Sequence, residues 1–245
     1  MTVLRALHLA IALLIPALVA ITWGGLLRLR GCSQQHIVMT MARLVGYLGP
    51  RLAGTPIHAS NAQRLARQPA VIVFNHQSGL DPVVVASLLR HPVTGIAKQE
   101  LADNPLLGPL LQLSGNIFIR RGEGWKQQLL PQAKQRIAEG FSIVIAPEGT
   151  RISKTNAGPA RPGLFRLGAF AIAQHCQIPL IPIVIHNSGA RLPPRSTQLR
   201  VGPVYVSVLP ATLVAETTDL QEAAKEMQQR YEHCLAQGFN HSGVD

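Results

Sequence analysis

A chain of 245 residues with 47% hydrophobic and only 14% charged residues is too apolar for a disordered protein and too polar for a polytopic membrane protein. It has room for one substantial domain and a short appendage. The formal charge is +11; residues 211–245 hold six acids and two bases, a net of −4, so the remainder carries +15 and calls for an anionic partner: nucleic acid, anionic lipid headgroups or a phosphorylated substrate.

Residues Ala6 to Leu27 are almost continuously apolar, with His8 the one strongly polar interruption. The length suits a helix that spans or dips into a bilayer, kinked near Pro16 and Gly24-Gly25. A cleaved signal peptide is disfavoured, because the run is long, lacks a small-x-small site and is followed at once by Arg28 and Arg30. Arg5 lies before the run, whereas Arg28, Arg30, Arg43 and Arg51 lie after it, so the positive-inside bias puts the main body in the cytoplasm, at the inner membrane. Three widely spaced cysteines, Cys32, Cys176 and Cys234, with no C-x-x-C or zinc pattern, suit reduced thiols on that side. From His36 to Leu48 apolar residues recur at helical spacing, as in a helix packed on the domain or one lying at the membrane interface. These features divide the chain into an anchor, residues 1–50, and a catalytic domain, residues 51–245.

Short apolar runs then alternate with helical stretches. The predicted strands are Ala70–Phe74, Val93–Ala97, Asn116–Ile119, Ser142–Ala146, Leu180–His186, Leu199–Val201 and Val204–Val208. The predicted helices are Pro82–Leu89, Pro105–Leu113, Trp125–Ala138, Gly163–His175 and Asp219–Ala236, with loops at Ser153–Gly163 and Ser188–Thr197. Such alternation predicts an α/β fold, a mixed and largely parallel sheet flanked by helices.

The densest chemical signal is Asn75-His76-Gln77-Ser78-Gly79-Leu80-Asp81, between a strand and a helix. A histidine there sits on the rim where α/β folds bind ligands, and a neutral imidazole can take a proton from an alcohol near pH 7. Asp81 can reach back to fix its tautomer. Taken alone, the pattern is weak, and the same residues read more readily as a turn residue and a helix cap. Ser78 lacks a nucleophile elbow and reads as a capping residue. His91, His175 and His186 have no metal-ligand spacing, glycine-rich nucleotide loops are absent, and the acidic tail helix with Tyr231 reads as a packing helix.

Further blocks follow in order: Lys98-Gln99-Glu100-Leu101, Gly115-Asn116-Ile117-Phe118-Ile119-Arg120-Arg121, Pro147-Glu148-Gly149-Thr150-Arg151, Phe165-Arg166-Leu167-Gly168 and Ile181-Pro182-Ile183-Val184. Together with the histidine block they resemble the glycerolipid acyltransferase family of the 1-acylglycerol-3-phosphate acyltransferase type, over Gln68 to His186, roughly half the chain. The resemblance implies that His76 is the general base and Asp81 its partner. It implies an acyl thioester donor, acyl-CoA or acyl carrier protein, so that no enzyme nucleophile, cofactor or metal is required. Arg151 resembles the residue that binds the acceptor phosphate, which suits a guanidinium fork. Glu148, with Gly149 and Thr150 in the same block, would orient a glycerol hydroxyl or hold Arg151. Arg121 and Lys98 fit secondary phosphate contacts, or plain surface charge.

One departure stands out: the family commonly has an acid before the arginine in its second block, and here that place is Arg120. The implied reaction acylates the free hydroxyl of 1-acylglycerol 3-phosphate to give phosphatidate, with substrates and membrane lipid as the partners and acyl carrier protein a candidate one. Another lysophospholipid, a lyso-ornithine lipid or glycerol 3-phosphate are alternative acceptors. A nucleic-acid-binding protein would explain the charge but neither the apolar N-terminus nor the ordered blocks. A lipid hydrolase would use a similar pair with water as acceptor.

Overall fold

The computed structural model describes residues 2–66, 69–105, 107–120, 122, 124–152 and 161–240. The apolar N-terminus forms α1 (Thr2–Leu29), with Pro16 inside it. Its small residues Ala12, Ala17, Ala20 and Gly24 fall on one buried face, while Leu4, Leu7, Ile11, Ile15, Leu18 and Leu26 recur at helical spacing on an exposed one. Helix α2 (Gln34–Ala53) starts where the Ser33 side chain accepts the His36 amide. It stops at Gly54, whose φ of 62° is left-handed and whose amide donates to Arg51 O.

The two helices run antiparallel, with His8 Nε2 on Leu52 O at 2.6 Å. At the other end Gln34 Nε2 donates to Leu113 O, 2.8 Å, which fastens the hairpin to the domain. Glycines allow the closest approach. A Cβ at Gly46 would lie 2.6 Å from the backbone of Ser87 in α3 (Asp81–Leu88), and one at Gly49 would lie 2.4 Å from the Val83 side chain.

The sheet contains β1 (Ile57–Ser60), β2 (Val71–Phe74), β3 (Val93–Lys98), β4 (Ile117–Ile119), β5 (Ser142–Ile145), β6 (Leu180–Ile185) and β7 (Val204–Val208). Their order is β1-β7-β6-β2-β5-β3-β4. Strands β6, β2, β5, β3 and β4 are mutually parallel, and β7 pairs antiparallel with β6 and parallel with β1. Parallel strands need helical crossovers, supplied by α3, α4 (Gly108–Leu113), α5 (Trp125–Ala138) and α6 (Gly168–Cys176). A one-turn helix α7 (Ser188–Arg191) precedes β7, and α8 (Leu220–Gln237), capped by Asp219, closes the fold.

Alternate strand residues feed two apolar layers. Ile72, Phe74, Ile181 and Ile183 face α1, α2 and α3; Val71, Val73, Leu180 and Val184 face α5, α6 and α8. Central strands buried on both sides therefore read as continuous apolar runs.

The architecture is the expected α/β one, with three differences. Leu199–Val201 forms no strand, because the Arg200 amide is taken by Arg191 O. The outer partner of β7 is β1, a four-residue edge strand whose sequence, Ile57-His58-Ala59-Ser60, carries little apolar signal. The predicted Gly163–His175 helix begins five residues later, at Gly168.

The packing of α2 on α3 yields a test. Gly46→Ala drives a methyl group into backbone and should cost about 1–3 kcal/mol by overpacking. Gly25→Ala, with nothing within 4 Å of the added carbon, should not. Thermal unfolding in a fixed detergent should show a lower Tm for the first variant only.

Candidate active site

All five parallel strands end at the same sheet edge. Strand β2 gives way there to Asn75 and His76, and α3 begins at Asp81. Asn75 continues the β2–β6 pairing with its side chain: Nδ2 donates to Ile185 O, 2.9 Å, and Oδ1 accepts the Ile185 amide, 2.7 Å. Gln77 Nε2 donates to the same carbonyl, 3.1 Å. Ser78 Oγ donates to Leu192 O, 2.8 Å, and accepts the Leu80 amide, 3.1 Å, so it is committed to the turn.

Within this turn His76 Nδ1 lies 2.8 Å from Asp81 Oδ2. That oxygen also accepts the amides of Gln77 and Ser78, each at 2.7 Å. Asp81 is fully buried at the positive end of a helix, whereas the His76 side chain is 21% exposed. With Nδ1 committed to the carboxylate, Nε2 is the ring nitrogen left for chemistry. The Phe74 ring meets the imidazole edge-on, 5.8 Å between centroids.

The Pro147–Arg151 block follows β5, the neighbour of β2. Glu148 is buried, and its Oε1 accepts the His76 amide at 3.1 Å. Oε2 has no hydrogen-bond partner of ordinary geometry among the described residues, although the Gly163 amide lies near enough to favour the charged form. Burial pushes the Glu148 carboxyl up to about 7; the His76 and Gly163 amides oppose this, and the nearby Asp81 charge adds to it. The family resemblance implies that this glutamate orients a glycerol hydroxyl or holds Arg151; in the structure its Oε1 holds the backbone of the histidine loop.

Gly149 turns the chain at φ 67°, and Thr150 and Arg151 are exposed. The Ile152 amide donates to His76 O, 2.9 Å, tying the two blocks together. The Arg151 guanidinium stands over the histidine turn, 3.7 Å from where a Cβ on Gly79 would sit. Lys98 at the end of β3 and Arg120 just beyond β4 are exposed on the same edge. Arg121 lies outside the described residues, as does most of the predicted Ser153–Gly163 loop.

The other histidines are apart from this centre. His186 bonds Ser207 Oγ at 2.9 Å, and burial pushes its pKa down to about 4. His91 is buried, and His175 is exposed. No group of three potential metal ligands occurs among the described residues.

An α/β domain with a histidine–carboxylate pair at the carboxyl edge of a parallel sheet, and an arginine above it, is the class that fold and site define. The family model described as Acyltransferase matches residues 56–186, and the chain belongs to that family. Among curated proteins, the 1-acyl-sn-glycerol-3-phosphate acyltransferase of Salmonella typhimurium is 30% identical over 188 residues, covering 73% of this chain and 71% of its own. The protein of that name from Saccharomyces cerevisiae is 28% identical over 180 residues, covering 72% and 58% respectively. This chain thus spans little more than half of the yeast relative. A crystal structure described as the 1-acyl-sn-glycerophosphate (LPA) acyltransferase from Thermotoga maritima superposes with a TM-score of 0.69 at 18% identity, covering 96% of this chain and 99% of the other, and so shares the fold.

Glu148 makes the stability of the domain pH-dependent. A folded-state pKa raised to about 7 from 4.5 means that the native state holds its proton more tightly. The resulting stabilisation is complete below about pH 4.5 and is lost as pH rises through about 7. Relative to Glu148→Gln, wild type should therefore lose Tm between about pH 5 and pH 8. A difference that stays flat across that range would show that Glu148 is not held protonated.

Proposed function

We propose that this chain transfers a fatty acyl group from an acyl thioester to the free hydroxyl of a 1-acylglycerol 3-phosphate, forming phosphatidate. One observation carries the reading: Asp81 occupies His76 Nδ1 at 2.8 Å and leaves Nε2 at the surface, with Arg151 standing over the same turn. The names of the curated relatives support the acceptor.

The chemistry needs only these groups and the two substrates. His76 Nε2 takes the hydroxyl proton as the oxygen attacks the thioester carbonyl. Asp81 stabilises the imidazolium that forms. The tetrahedral intermediate collapses, the C–S bond breaks, and the imidazolium returns its proton to the leaving thiolate. The product is an ester and a free thiol, and the base is regenerated. The donor is a thioester of coenzyme A or of acyl carrier protein. Arg151 takes the acceptor phosphate, and Lys98, exposed at the end of β3, supplies a secondary contact. Glu148 acts behind His76 rather than on the substrate.

His76→Ala should lower kcat by at least about 10²–10⁴-fold with the fold retained. Transfer near the wild-type rate would end the general-base reading. In the same assay Arg151→Ala should raise the KM for lysophosphatidate far more than that for the donor. Arg151→Lys should recover only part, since it keeps the charge and loses the fork. An equal loss with a phosphate-free acceptor would assign Arg151 to structure.

The enzyme works at the inner membrane with its catalytic domain on the cytoplasmic side, held by α1. That helix is long and apolar enough to cross a bilayer, yet one face packs on α2 and α4. Arg43 and Arg51 are exposed on α2, which favours a hairpin lying with its apolar α1 face in lipid over a pair of spanning helices. Replacing Leu7, Ile11, Ile15 and Leu18 together by Gln should convert a detergent-requiring protein into one released by high salt. Wild-type protein that salt alone extracts would contradict an apolar anchor.

A further inference from the structure

We propose that Tyr231, on the C-terminal helix α8, is a positioning residue for His76. It lies outside every block that marks the acyltransferase site, and its side chain is fully buried. The hydroxyl sits on the seam between β2 and β6, donating to Val73 O at 2.8 Å with the Ile183 amide close by. Val73 is three residues before His76, on the strand that delivers it.

The same turn of α8 also holds the opposite wall. The Tyr231 ring meets Phe165 edge-on, with centroids 5.2 Å apart and planes at 82°, and Gln228 Oε1 accepts the Phe165 amide at 3.4 Å. Next to Phe165, the Arg166 amide donates to Pro147 O at 2.8 Å, and its Nε reaches Glu148 O at 3.4 Å. Glu148 in turn accepts the His76 amide. The contacts form a closed circuit from Tyr231 through Val73 to His76, on to Glu148, and back through Arg166 and Phe165.

A phenylalanine would fill this apolar layer equally well. The polar atom is explained by its grip on β2, since a buried hydroxyl is tolerated only where it is bonded. With the hydroxyl in place, α8 fixes the height of His76 against the Glu148–Arg151 block. Without it, His76 keeps Asp81 but shifts relative to the acceptor hydroxyl, and small misplacements of a base cost rate rather than binding.

The proposal rests on His76 being the base. Tyr231→Phe removes only the hydroxyl and keeps the ring on Phe165. Its kcat should fall roughly tenfold, short of the 10²-fold that about 1 Å of misplacement can cost, with both KM values within about twofold of wild type. Arg230→Gln is the control for mere helix docking. Its guanidinium bonds Thr212 Oγ1 and Pro210 O, away from β2, so this variant should lower Tm and keep kcat. Should Tyr231→Phe not fold, Phe165→Leu, which removes the ring from Tyr231 but keeps the Phe165 amide on Gln228, should still lower kcat with KM unchanged. A wild-type kcat in Tyr231→Phe, or an equal kcat loss in Arg230→Gln, would overturn the proposal; for a Tyr231→Phe that does not fold, an unchanged kcat in Phe165→Leu would do so. His76→Ala assayed alongside separates the two levels: if it is active, the general-base reading fails, whereas if it is inactive and Tyr231→Phe is unimpaired, only the positioning role fails.

Discussion

A single buried oxygen, Asp81 Oδ2, organises the site. It accepts His76 Nδ1 and the amides of Gln77 and Ser78, all within 2.8 Å. Two backbone donors and a helix N-terminus hold the carboxylate before the imidazole reaches it. The five-residue interval to Asp81 thus does two jobs. It caps the turn that ends β2, and it commits Nδ1 of His76 to the carboxylate while leaving Nε2 outside that pair. A carboxylate left without these amides would pay heavily for its burial.

The surrounding fold keeps that turn in place from both faces of the sheet. On one face α3 carries Asp81 and is itself braced by α2, whose Gly46 and Gly49 allow near-backbone contact. On the other, α6 and α8 back the strands and the Phe165 segment. The N-terminal hairpin is therefore continuous with the layer that supports the Asp81 carboxylate, and the apolar face of α1 turns outward from it. In the proposed reaction one substrate bears a phosphate and at least one acyl chain, and the fold offers a basic sheet edge and an apolar helix face in one body.

The sequence revealed most where the determinants are local. The histidine turn could be read because strand end, capping residues and carboxylate lie within seven positions. The central strands were legible because burial on both faces leaves uninterrupted apolar runs. Strand β1 escaped notice because Ile57-His58-Ala59-Ser60 is short and sits at an edge. The position of Glu148 was illegible for a different reason. Its contact with the His76 amide exists only because β5 lies next to β2, a pairing of residues 72 positions apart. Tyr231 is the extreme case: its hydroxyl meets a carbonyl 158 residues away, and in sequence it is one apolar position of an amphipathic helix.

The mechanism depends on which nitrogen of His76 carries the proton. Nitrogen-15 NMR of the enzyme labelled at its histidines, with the His76 signals assigned by comparison with a His76→Gln sample, reads this directly. The neutral imidazole should show a protonated Nδ1, its proton strongly deshielded by Asp81, and a bare Nε2. Asp81→Asn should abolish the deshielded proton. A His76 that instead carries its proton on Nε2 could not accept one from an alcohol at the surface, and that result would contradict the mechanism.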